Sequence, residues 1–73
     1  MTETMASITP DWIKQVRAEL DLTQEQFAGR LGVSQATVAL WESGCRNPSG
    51  SARILLEMLG LEAERVAAKK LSA

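Results

Sequence analysis

Residues 24–43 read Gln24-Glu25-Gln26-Phe27-Ala28-Gly29-Arg30-Leu31-Gly32-Val33-Ser34-Gln35-Ala36-Thr37-Val38-Ala39-Leu40-Trp41-Glu42-Ser43. The spacing predicts two short helices joined by a tight turn. Phe27, Ala28 and Leu31 form the inward face of the first helix. Gly32 sits where the chain turns sharply and a left-handed backbone is easiest without a Cβ. Val33 plugs the angle between the helices. Ser34 is placed to cap the second by offering its hydroxyl to orphan backbone N–H groups. Val38 and Trp41, one turn apart, pin that helix to the core.

Around this stretch the pattern stays helical. Thr9-Pro10-Asp11 is a helix start, with Thr9 as cap, Pro10 at the first helical position and Asp11 at the positive end. That helix is expected to reach Leu20, with Trp12, Ile13, Val16 and Leu20 inward. Asp21-Leu22 makes a turn. Thr23, with Gln26 behind it, forms a capping box for the next helix. Gly44 is expected to end the helix that begins at Gln35. Residues 44–50 form a loop. Ser49 or Ser51 caps a fourth helix with Ala52, Leu55, Leu56 and Leu59 inward, and Gly60 is expected to stop it. Residues 61–71 carry a weak apolar stripe suited to a fifth helix. No strand signal stands out. The expected organisation is a disordered tail over residues 1–8, a helical domain over 9–60, and a C-terminal helix or tail over 61–73 suited to dimerisation, the candidate dimer surfaces being the fourth helix and residues 61–71, including Leu61 and Val66.

The bulk numbers narrow the function. Seventy-three residues allow one domain with a small core, since such a chain buries only about 60% of its unfolded surface. There is no apolar run of membrane-spanning length and no secretory signal, so a cytoplasmic location is expected. The chain has no histidine and no tyrosine, which removes the commonest general base. Its one cysteine, Cys45, has no histidine to activate it and cannot build a zinc site alone. Neither catalysis, nor a metal, nor a cofactor, nor a small-molecule ligand is expected. The net charge of −1 is unusual for a nucleic-acid binder. Its distribution matters more. Residues 1–23 hold Glu3, Asp11, Glu19 and Asp21 against Lys14 and Arg17. Residues 24–53 hold Arg30, Arg46 and Arg53 against Glu25 and Glu42.

With Val38 and Trp41 inward, Ala36, Ala39, Leu40 and Ser43 point the opposite way, flanked by Gln35 and Thr37. Small side chains, one leucine and a leading glutamine suit a major groove. Gln35 matches adenine N6 and N7, and Ala36, Thr37 and Leu40 match thymine methyls. Ser43 completes the outward row. No arginine or lysine lies on this face, which leans the expected half-site toward A·T.

The whole of residues 24–43 resembles the helix-turn-helix of the Xre-type, lambda-repressor-like family, with its alanine, glycine and five apolar positions in place. The resemblance implies an all-α domain of four to five helices that binds double-stranded DNA. It implies a recognition helix that reads bases through the positions of Gln35, Ala36 and Leu40. It implies phosphate contacts at Gln24, Arg46 and Asn47, to which Ser34 is added. It also implies an ion pair between Arg17 and Glu42 that ties the first helix to the third. Asp21 departs from the family's usual glycine or asparagine. The expected activity is that of a minimal repressor dimer on a palindromic operator, without a sensor domain. An antitoxin that binds a toxin protein and represses its own operon is the alternative, and an interaction module without DNA binding a third.

Overall fold

The computed structural model describes residues 8–72, with side chains through residue 70. Four helices follow one another: α1 (Pro10–Glu19), α2 (Gln24–Leu31), α3 (Gln35–Ser43) and α4 (Gly50–Ser72). Among the described residues there is no strand, and no helix is long and apolar enough to cross a membrane. The tail expected over residues 1–8 lies outside the described residues except for Ile8, which packs against the core.

Local chemistry fixes the helix ends. Thr9 Oγ1 accepts from the Trp12 N–H at 3.1 Å. Thr23 and Gln26 exchange hydrogen bonds, Gln26 N–H to Thr23 Oγ1 at 3.1 Å and Thr23 N–H to Gln26 Oε1 at 2.9 Å. Each satisfies a backbone or side-chain group that an uncapped helix leaves open. Gly32 (φ 71°) closes α2 and Gly44 (φ 85°) closes α3, both in the left-handed region. Asp21 adopts the same region at φ 62°. There the Leu22 N–H reaches Arg17 O and the Asp21 N–H reaches Ala18 O, both at 3.1 Å. This is the Schellman pairing that consumes the last free carbonyls of a helix.

The core draws on every helix. Ile13 and Val16 come from α1, Phe27, Ala28 and Leu31 from α2, Val38 and Trp41 from α3, and Leu56 and Ala63 from α4. Trp12, Leu20, Leu22, Val33, Ala52 and Leu59 close around it.

The C-terminal third corrects the sequence reading. Gly60 does not stop α4, and no separate fifth helix exists among the described residues. Gly60 is buried inside one continuous helix. A Cβ placed on it would stand 2.6 Å from Trp12 Cζ2. The glycine is there so that α4 can approach the indole on α1, and the residues after it are good helix formers that carry the turn onward. Leu55 is also not inward. It is 37% exposed, whereas its neighbour Leu56 is fully buried.

Gly60→Val should therefore lower stability by about 2 kcal/mol, because the branched side chain drives into a rigid ring. Chemical denaturation monitored by tryptophan fluorescence reads this. An unchanged midpoint would show that the indole has room to move.

Candidate nucleic-acid interface

Two helices that begin side by side build the candidate site. Thr23 and Ser34 cap α2 and α3, so Gln24 and Gln35 are each the first residue inside a helix. Ser34 Oγ accepts from the Thr37 N–H at 3.1 Å and pairs with Thr37 Oγ1 at 2.9 Å. The α2–α3 turn brings the two glutamines together: Gln35 Nε2 donates to Gln24 Oε1 at 2.6 Å.

Behind them lies an ion pair. Arg17 Nε donates to Glu42 Oε2 at 2.7 Å and Arg17 Nη2 to Glu42 Oε1 at 3.1 Å, a bidentate fork. Arg17 Nη1 also donates to Leu22 O at 3.1 Å, which ties the fork to the α1–α2 turn. Gln24 Nε2 donates to Glu42 Oε1 at 3.0 Å. A polar chain thus runs from Gln35 through Gln24 and Glu42 to Arg17. Glu42 is only 6% exposed and Arg17 is half-buried. Burial alone would push the Glu42 carboxyl up. The hydrogen bonds from Arg17 and Gln24, with the charges of Arg17 and Lys14, outweigh it and hold the group below the usual carboxylate range. The same hydrogen bond raises Arg17 against its own desolvation.

The other candidates fall into two sets. Gln35, Ala36, Leu40 and Ser43 are exposed on α3, Leu40 at 38%. Thr37 is half-buried with its hydroxyl turned to Ser34, and Ala39, read as outward, is half-buried. The Ser43 hydroxyl donates to Leu40 O at 3.0 Å. Ser34, Arg46 and Asn47 are exposed at the two ends of α3, while Gln24 is half-buried between α2 and α3. Arg53 is engaged with Glu57 on its own helix at 3.5 Å.

Sequence reasoning missed the glutamine–glutamine bond and its continuation to Glu42. The available signal was positional: Gln24 and Gln35 each follow directly on a capping residue. It named Leu61 as a contact residue but missed the rest of the exposed apolar row on α4, where Ile54 is 60%, Met58 59% and Leu61 59% exposed, with Leu55 at their shoulder. Val66, named beside Leu61 as a contact residue, is half-buried.

Comparison with known proteins is consistent with this geometry. Residues 13–52 match the family described as Helix-turn-helix. An uncharacterized HTH-type transcriptional regulator of Archaeoglobus fulgidus is 46% identical over 37 residues, covering 51% of this chain and 52% of that protein. The chain thus spans about half the length of that relative. No solved structure matches it.

Proposed function

Since the chain belongs to the Xre-type helix-turn-helix family of DNA-binding transcription regulators, we propose that it is a repressor that inserts α3 into the major groove of a palindromic operator. The observation that carries this reading is the exposed row on α3 led by Gln35, set on a helix whose opposite side holds Val38 and Trp41 in the core. An adenine-reading amide comes first, and side chains small enough for close approach follow. Gln24, Ser34, Arg46 and Asn47 flank this row and contact phosphates, which positions the helix without reading sequence. The slight negative net charge implies weak non-specific affinity, so base contacts carry a large share of selectivity.

The repressor acts as a homodimer joined across α4. Ile54, Met58, Leu61, Arg65 and Ala68 recur at alternating steps of four and three, the spacing of a helix–helix seam. Folded monomers rarely leave such a row open. Beside it Arg53 pairs with Glu57 at 3.5 Å and Arg30 with Glu62 at 3.8 Å, so charges of both signs flank the row.

Selection of bound duplexes from a random pool tests the DNA reading. Wild type should recover a palindromic, A·T-leaning motif. Gln35→Ala should lose about 1–3 kcal/mol of discrimination at one base pair per half-site with its melting temperature unchanged. Failure to enrich any motif at low salt, or identical motifs from both proteins, would refute it.

A further inference from the structure

We propose that Glu42, acting through Gln24, fixes which hydrogen-bonding face Gln35 turns to its base pair, and thereby selects adenine over guanine at that position. The inference rests on the reading of Gln35 as a base-contacting residue.

A carboxylate held ionised only accepts hydrogen bonds, and arginine only donates them. Arg17 engages both oxygens of Glu42. Whatever approaches Glu42 from the other side must be a donor. Gln24 meets that demand with Nε2, and the planar amide then turns Oε1 the other way, toward Gln35. Gln35 must answer with Nε2, and it does so. The direction of every bond in the chain follows from one buried charge.

The consequence lies at the outer end. With one Nε2–H committed to Gln24, Gln35 has one N–H and one carbonyl oxygen left. Adenine offers the major groove one acceptor, N7, and one donor, N6, and the match is complete. Guanine offers two acceptors, N7 and O6, and would need two donors. Were the chain reversed, Gln24 would donate to Gln35 Oε1. Gln35 would then present both N–H groups and suit guanine. Glu42 and Arg17 are thus positioning residues for specificity, although neither faces the groove.

The test uses the full chain and paired duplexes that differ only by adenine or guanine at the base pair whose preference Gln35→Ala erases. Wild type should favour adenine by about tenfold or more. Glu42→Gln supplies an amide that no longer dictates the direction, and Gln24→Ala cuts the chain while leaving the Arg17–Glu42 pair in place. Both should move the adenine-to-guanine ratio several-fold toward unity. A purely structural or phosphate-binding role would instead weaken both duplexes equally. If Glu42→Gln fails to fold, Arg17→Met with Glu42→Leu, which removes the charge without stranding a partner, takes its place, and a ratio that this variant leaves unchanged overturns the role of Glu42. A ratio unchanged in Gln24→Ala, with Gln35→Ala still erasing it, overturns the inference while the base contact stands. A ratio untouched by Gln35→Ala overturns the base contact, and the inference with it.

Discussion

Arg17→Met is expected to lower the unfolding free energy by about 3 kcal/mol at neutral pH, toward the lower end of the cost of breaking a buried pair because Arg17 is half-solvated. A domain of this size holds on the order of 4–11 kcal/mol in total, so much of its stability goes. The loss comes from what remains. Glu42, 6% exposed in the intact protein, keeps Gln24 as a donor but has no fork to balance its charge. The Leu22 carbonyl loses a donor as well. Urea denaturation of the two proteins reads the difference, and coincident midpoints would show that the pair contributes nothing to stability. Replacing both partners, Arg17→Met with Glu42→Leu, should recover much of the loss, since an apolar pair has no charge to strand.

The same pair makes stability depend on pH, with opposite signs in wild type and variant. In wild type the folded Glu42 carboxyl lies below its ordinary value of 4.5. Its contribution is present in full above that value and is lost as pH falls through the lower, folded one. In Arg17→Met the main opposing influence is gone and burial drives the folded carboxyl up. The variant's deficit is then greatest at neutral pH and shrinks on acidification, as Glu42 becomes neutral. Arg17 itself titrates far above any working pH and adds no slope. Melting curves from pH 7 to pH 4 should therefore converge. A constant gap would mean that the variant's loss is one of packing, with no stranded charge.

What the sequence disclosed was chemistry confined to a few consecutive residues. Thr9, Thr23 with Gln26, and Ser34 announce helix starts because a cap and the N–H groups it serves lie within one turn. Gly32 and Gly44 announce ends because positive φ is a property of one residue. Gly60 has the same composition signal and the opposite outcome. What decides it is Trp12, far away in the chain, and nothing within a turn of Gly60 records that. The run Ile54-Leu55-Leu56 poses a similar problem. Any of the three satisfies an inward position, and only packing into the shared core chooses Leu56 and leaves Ile54 and Leu55 outside. In the candidate site, the outward row on α3 follows from its phase against Val38 and Trp41. The Gln35–Gln24–Glu42 chain does not, because it depends on the angle at which α2 meets α3.

The row that the packing leaves outside sets up the largest expected effect on binding. Placing two carboxylates per copy on it, Met58→Glu with Leu61→Glu, should convert a dimer to a monomer in sedimentation at micromolar concentration. Both side chains are 59% exposed in the single copy, so the monomer's own melting temperature should barely move. The operator should feel the change strongly. On a palindrome, two copies joined across α4 would set their α3 helices in successive major-groove faces, roughly 34 Å apart. Once the first has docked, the second binds at high effective concentration, a gain of about 10²–10⁴ in affinity. The double variant should lose that factor on the palindrome while binding an isolated half-site as wild type does. Equal loss on both duplexes would place the defect in the fold or the reading helix. A wild-type chain that is monomeric both free and on the operator would leave the α4 row without the partner proposed for it.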